Sequence, residues 1–243
     1  MELIIPAWPA PSHVKACTTT RHGGVSGGVY RSLNLGDHVG DLPHAVAENR
    51  QRLHCHLQLP NAPRWLSQIH GVAVVAAHDV VEGMLADGSY SDRSHEVCVV
   101  LTADCLPVLL CSRDGLKIAA VHAGWRGLVD GVILQAVSSL RHDPADIMAW
   151  LGPAIGPTAF EVGEEVRERF MARDWGCANA FIAHETGRWW ADLYLLARQQ
   201  LAQIGVTAVY GGDLCTYCDP ERFFSYRRDQ TTGRMATLIW REA

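Results

Sequence analysis

The 243-residue chain is most informative first for what it lacks. No run approaches the roughly 18 apolar residues of a membrane span. The stretch Met1-Glu2-Leu3-Ile4-Ile5-Pro6 has no basic n-region and is interrupted by Pro6, Pro9 and Pro11, so no secretory leader is expected and the expected location is cytoplasmic. There is no excess of basic residues: 21 Lys and Arg stand against 26 Asp and Glu, a formal charge of −5, which argues against nucleic acid or a membrane surface as a partner while allowing a small local basic pocket. Eight cysteines are too sparse for a disulfide-stapled secreted fold, most lie inside apolar runs, as Cys98 and Cys111 do, and all are expected to be reduced. The glycines of Gly23-Gly24-Val25-Ser26-Gly27-Gly28 lack the order of a Walker loop, and there is no H-E-x-x-H. His54-Cys55-His56 is a solitary H-x-H inside a helical pattern, where i and i+2 point about 200° apart and cannot share a metal. Internal repeats, low-complexity tracts and long linkers are absent, and one domain over residues 1–243 is expected.

What is present centres on Thr102-Ala103-Asp104-Cys105-Leu106-Pro107 and Val121-His122-Ala123-Gly124-Trp125-Arg126-Gly127. Each follows an apolar run that reads as a buried strand, Val97–Leu101 and Leu116–Val121, and His70 stands in the same way between Trp65–Ile69 and Gly71. Strand ends are where α/β proteins usually build binding sites. A thiol and two imidazoles at three strand ends read as one three-ligand metal site, His70, Cys105 and His122. That donor set suits zinc, and three protein ligands with an open fourth position is the catalytic pattern. The bland alternative is a buried thiol and hydrogen-bonded histidines.

Other residues leave two readings open. Arg21 can bind phosphate through its planar fork or be a solvated charge. Asp104, beside Cys105, can orient a ligand, exchange protons with a substrate, or simply form a turn; Asp87 is the other carboxylate near these motifs. Arg126 can meet phosphate at a helix start or form a salt bridge, and Trp125 can stack a base or pack in the core. Phe223-Phe224-Ser225-Tyr226-Arg227-Arg228-Asp229 pairs aromatics with two arginines that can close a pocket. Cys215-Thr216-Tyr217-Cys218 is a C-x-x-C without a second such pair or a thioredoxin-like βαβ context, so redox chemistry or half a metal site is set against chance.

Strand patterns recur at Val14–Thr20, Val72–Ala76, Val97–Leu101, Val108–Cys111, Lys117–Val121, Ile147–Leu151 and Val206–Tyr210. Helices are predicted after Asp41-Leu42-Pro43, with Asp41 as cap, over Leu128–Leu140, over Glu164–Arg173 and over Trp190–Ile204. The mixture predicts an α/β fold with a mixed β-sheet core flanked by helices, although the run of strands in the middle is not simple βαβ alternation.

Seven motifs together resemble one family: Thr18-Thr19-Thr20-Arg21-His22-Gly23-Gly24-Val25-Ser26, Ser32-Leu33-Asn34-Leu35-Gly36, Gln68-Ile69-His70-Gly71, Thr102-Ala103-Asp104-Cys105, His122-Ala123-Gly124-Trp125-Arg126-Gly127, Leu151-Gly152-Pro153-Ala154-Ile155-Gly156 and Phe224-Ser225-Tyr226-Arg227-Arg228. They are similar to the bacterial laccase-domain proteins, first labelled polyphenol oxidases and now assigned as zinc-dependent purine nucleoside phosphorylases with adenosine deaminase activity. The resemblance implies a layered α/β sandwich and one Zn²⁺ on His70, Cys105 and His122, with no copper expected. It implies catalytic roles for Asp104, Cys105 and His122, substrate binding by Arg21, Asn34 and Arg126, and purine nucleoside (adenosine, inosine, guanosine or methylthioadenosine) and phosphate as partners. It gives the Cys215–Cys218 pair no role. Family members are also tied to peptidoglycan precursor editing. This matches a competing reading from the residues: a metal-free cysteine amidase, with Cys105 as nucleophile and His122 as base. Copper polyphenol oxidation is disfavoured by the single H-x-H, and a non-enzymatic binding module is the remaining alternative.

Overall fold

Residue parity along the central strands sets the layering. The structure, a computed structural model, describes residues 1–173 and 176–242. In chain order the strands are β1 (Leu3–Ile4), β2 (Val14–Thr19), β3 (Val74–Ala76), β4 (Gly88–Ser91), β5 (Val97–Thr102), β6 (Leu106–Ser112) and β7 (Ile118–Ala123). They continue with β8 (Ile147–Leu151), β9 (Glu161–Gly163), β10 (Phe181–Ala183), β11 (Arg188–Ala191), β12 (Ala208–Gly211) and β13 (Met235–Arg241). The helices are α1 (Pro43–Leu57), α2 (Trp125–Asp130), α3 (Val132–Ser139), α4 (Glu164–Met171), α5 (Leu193–Gln203) and α6 (Tyr226–Asp229). Among the described residues, no helix is long and apolar enough to cross a membrane.

A six-stranded mixed sheet, ordered β12-β8-β6-β7-β4-β3, faces a four-stranded antiparallel sheet, β1-β2-β13-β5. A small third sheet is ordered β10-β11-β9. In β5, Cys98 and Val100 turn toward Leu109, Cys111, Ile118 and Ala120 of the larger sheet. Val97, Val99 and Leu101 turn the other way and pack with Leu33, Leu35 and Leu53 under α1. The alternate residues of the large sheet, including Leu106, Val108, Leu110, Ala119 and Val121, pack against α2, α3 and α5. Both sheets are thus covered on both faces, which is why their strands read as continuous apolar runs rather than as polar–apolar alternation. The predicted layered α/β sandwich is the observed one.

Local expectations differ at four places. The helix predicted over Leu128–Leu140 is two helices, because Gly131 takes φ 99°, a left-handed conformation that ends α2 through the Gly131 N–H bond to Gly127. The helix predicted from Trp190 starts at Leu193; Trp190 lies in β11, paired with Ile182 and Glu161, and Asp192 caps α5 by accepting from Leu195 N at 2.9 Å. Asp41 does not cap α1: Leu42 holds that position, while the Asp41 carboxylate accepts from Ser26 Oγ at 2.6 Å and Asn34 Nδ2 at 2.9 Å. Finally, His70 does not end a strand. Ser67 makes only an isolated bridge to Leu85, and the loop is fastened instead by Gln68, whose side-chain amide exchanges two hydrogen bonds with the backbone of Leu101, at 2.8 and 2.7 Å, on the open edge of β5.

Candidate metal centre

Two registers and one loop bring the three candidate ligands together. In the β6–β7 ladder Leu106 is opposite Ala123, so the residues just beyond, Cys105 and Gly124, meet at the end of the ladder. By strand parity His122 shares the face of Ile118 and Ala120, between the two large sheets. In the β4–β7 ladder Gly88 is opposite Val121, which leaves Asp87 beside His122, and the His122 N–H donates to the Asp87 carbonyl at 2.7 Å. The 67–71 loop, pinned by Gln68, then delivers His70, itself at φ 60°.

The ligand atoms of His70, Cys105 and His122 lie within 4.8 Å of one another. Cys105 Sγ is 3.8 Å from His70 Nε2, and the two imidazoles stand edge to face with centroids 4.8 Å apart. Tetrahedral zinc, with Zn–N near 2.0–2.1 Å and Zn–S near 2.3 Å, requires ligand separations of about 3.4–3.6 Å, so the donor set fits a single ion after small side-chain movements. Gly124 forms the floor: a Cβ there would lie 2.8 Å from His70 Cδ2, 3.2 Å from Cys105 Sγ and 3.5 Å from His122 Cε1. Gly127 performs the same service for the loop, because a Cβ at that position would lie 2.6 Å from the Gly71 carbonyl oxygen.

Asp87 organises this arrangement. Fully buried, its carboxylate takes His122 Nδ1 at 2.8 Å and the backbone N–H groups of His70 (2.8 Å), Gly71 (2.7 Å) and Ile69 (3.3 Å). One side chain therefore fixes the ring of the second histidine and the loop that carries the first, as carboxylates behind metal-binding histidines do. Burial pushes the Asp87 carboxyl up, but the hydrogen bonds from His122, Gly71 and His70 and the His122 charge outweigh it and hold the group below the usual carboxylate range. Burial likewise opposes ionisation of Cys105, and the charge of His122 with hydrogen bonds from His122 and His70 overrides it, bringing the thiol down to about 6. For His122, burial lowers and the Cys105 thiolate and Asp87 raise, leaving it at about 9. The two shifts are linked, the charged form of each group being favoured by the charged form of the other.

The other expected site residues are held elsewhere. Asp104, at φ 87°, accepts from Thr216 Oγ1 (2.6 Å), Ser225 Oγ (3.0 Å) and Arg227 N (2.6 Å), so both oxygens hold the C-terminal segment against the Cys105 turn. Asn34 is fully buried and saturated: Nδ2 donates to the Gly36 carbonyl and Asp41, and Oδ1 accepts from Gly36 N and Arg234 N, leaving no capacity for a substrate. Arg21 donates to the carbonyls of Arg31 and Pro220 and lies 4.7 Å over the Phe224 ring. It lines a cavity of about 570 Å³ with His22, Arg31 and Glu221, away from the three ligands. Arg228 is spent on the carbonyls of Thr216, Tyr217 and Phe223. Arg126 is different. It is exposed, and among the described residues the Trp125 ring, 4.6 Å away, is the one partner of its guanidinium.

Arg234 is the residue that sequence reasoning missed. Half-buried on β13's approach, it feels the charges of Cys105 and Asp104, which oppose the lowering that burial imposes on its guanidinium. No local pattern marks it, since it lies 129 positions from Cys105 and only sheet pairing returns it. Asp87 had a faint signal, a carboxylate just before the short buried run Gly88–Ser91.

Comparisons with known proteins agree over the whole length. The profile of a family described as multi-copper polyphenol oxidoreductase laccase matches residues 15–242. The purine nucleoside phosphorylase YfiH of Escherichia coli (strain K12) is 55% identical over 240 residues, 98% of each chain. A purine nucleoside phosphorylase of Pseudomonas aeruginosa is 52% identical over 238 residues, 98% of this chain and 97% of the other. A crystallised Neisseria meningitidis protein superposes with a TM-score of 0.97 at 48% identity, covering 100% of both chains.

Proposed function

Because the chain belongs to the multi-copper polyphenol oxidoreductase laccase family and its full-length relatives carry the name purine nucleoside phosphorylase, we propose that it is a zinc-dependent phosphorylase of purine nucleosides with a second, adenosine-deaminating activity. The observation that carries the reading is the convergence of His70, Cys105 and His122 on Gly124, backed by Asp87. A zinc ion held there supplies Lewis acidity toward an oxygen of phosphate or water. Asp87 keeps the Nδ1 proton of His122 engaged, which leaves Nε2 as the ligating atom.

Phosphorolysis displaces the purine from the ribose C1′ carbon by phosphate, and the chain must bind an anion and neutralise its charge. Arg126, four residues after His122 and with no carboxylate partner among the described residues, is the phosphate-binding residue we assign, with Arg234, which feels the charge of Cys105, adding positive charge. We assign Asn34 to fixing the Arg234 backbone, and Asp104 to positioning the Cys105 turn rather than to proton transfer.

One observation favours a second reading. Cys105, His122 and Asp87 follow the order of nucleophile, base and orienting carboxylate found in cysteine hydrolases, which suits an amidase editing peptidoglycan precursors. Chromatography of zinc-loaded protein with adenosine, with and without phosphate, separates the two. Adenine and ribose phosphate formed only with phosphate, and inosine formed either way, with both lost on chelation and in His122→Ala, support the phosphorylase–deaminase. No nucleoside product, with amide hydrolysis that survives chelation, sinks it.

A further inference from the structure

The proposed function uses neither thiol of Cys215-Thr216-Tyr217-Cys218, yet the fold has built an environment around them. Cys215 is half-buried and Cys218 exposed, the first paired with Ala154 across an isolated bridge and the second three residues on in the same turn. Cys215 Sγ accepts two backbone N–H groups, from Gly156 at 3.2 Å and Cys218 at 3.4 Å. The approach of Gly156 depends on its missing side chain, because a Cβ there would lie 3.1 Å from Cys215 Sγ. Two N–H donors thus converge on Cys215 Sγ, placed to stabilise charge on a sulfur taking part in exchange. The Cys218 side chain hydrogen-bonds to Cys215, and that contact, ahead of burial, raises its pKa. A metal is the weaker reading: among the described residues the one cluster of three or more metal-ligating side chains is His70, Cys105 and His122, which leaves this pair without further ligands.

We propose that Cys215 and Cys218 form a reversible dithiol–disulfide site reacting with low-molecular-weight disulfides, with Cys215 as the attacking sulfur and Cys218 as the resolving thiol. The Cys215 thiolate attacks one sulfur of the small disulfide; a protein–small-thiol S–S bond forms, the original S–S bond breaks and one small thiolate departs. Cys218 gives its proton to solvent and attacks Cys215 Sγ, forming the intramolecular S–S bond and expelling the second small thiolate, which is protonated. The protein loses two electrons and the disulfide gains them. The turn is wired to the Cys105 segment: Thr216 Oγ1 donates to Asp104 Oδ1 at 2.6 Å, Thr216 N to Ala154 O at 2.9 Å, and Ile155 N to Asp104 O at 2.9 Å. Oxidation therefore takes place one hydrogen bond from the residue that precedes the ligand Cys105.

The test is incubation of the intact protein with oxidised glutathione, alkylation of remaining thiols and peptide mass spectrometry. Cys55, exposed on α1, serves as an internal reference for an ordinary surface thiol. The Cys215–Cys218 disulfide is expected to form about tenfold or more faster than the glutathione adduct at Cys55, and Cys218→Ser is expected to trap glutathione on Cys215. A dithiol that persists while Cys55 is modified, or a Cys218→Ser protein whose Cys215 reacts no faster than Cys55, overturns the proposal. The wild-type measurement needs no substitution, so a variant that fails to fold leaves it decisive.

Discussion

Replacing Asp87 by Asn keeps the volume and shape of the side chain while removing its charge and half of its acceptor capacity. The carboxylate now receives His122 Nδ1 on one oxygen, together with His70 N, and Gly71 N and Ile69 N on the other. An amide can present its oxygen to only one of these sets and turns an NH₂ against the donors of the other, so about two charge-assisted hydrogen bonds are lost, at roughly 1.5–3 kcal/mol each. We expect a loss of about 3–6 kcal/mol in unfolding free energy at pH 7 and a fall of roughly 10–100-fold in zinc affinity. The sign of the pH dependence follows from the lowered carboxyl. A folded-state pKa below the unfolded value contributes stability that is present above about pH 3.9 and is lost as pH falls through the folded value. The gap between Asp87→Asn and wild type should therefore be full at neutral pH and narrow below about pH 4. Denaturant unfolding across pH and zinc titration against a chelator read both effects. A variant with wild-type stability and zinc affinity at pH 7 would refute the organising role given to Asp87.

Gly124→Ala places a methyl 2.8 Å from His70 Cδ2 and 3.2 Å from Cys105 Sγ; both ligands must shift, and zinc affinity measured by chelator competition should drop at least about tenfold with the fold intact by circular dichroism. Gly131→Ala forces an L-residue to φ 99° between α2 and α3 and should cost about 1–2 kcal/mol in thermal unfolding without touching the metal. Arg126→Ala should raise the KM for phosphate roughly tenfold while leaving phosphate-independent deamination unchanged; equal losses in both would remove Arg126 from phosphate binding.

Much of this was legible in residues and little of it in their separation along the chain. Cys105 and His122 each sit beside a buried apolar run, and those runs became neighbouring strands whose register opposes Leu106 to Ala123. His70 was legible as a candidate ligand but not for the reason of ending a strand; its position comes from Gln68 clasping the edge of β5, a tertiary contact that no local periodicity encodes. Asp104 attracted a catalytic role through adjacency to Cys105, yet neighbours in sequence need not face the same way, and its carboxylate is committed to Thr216, Ser225 and Arg227. Asp87 holds the place behind His122 because an antiparallel ladder, not a motif, sets them side by side. The single predicted helix over Leu128–Leu140 failed at Gly131, where apolar spacing continues across a break in the backbone.

The central claim, a zinc ion held by His70, Cys105 and His122, is tested most directly by elemental analysis of purified wild type alongside Cys105→Ser and His122→Ala. One zinc per chain in the wild type, and little or none in either variant with the fold retained, is the predicted result. Copper in place of zinc, or zinc content unchanged by both substitutions, would contradict it.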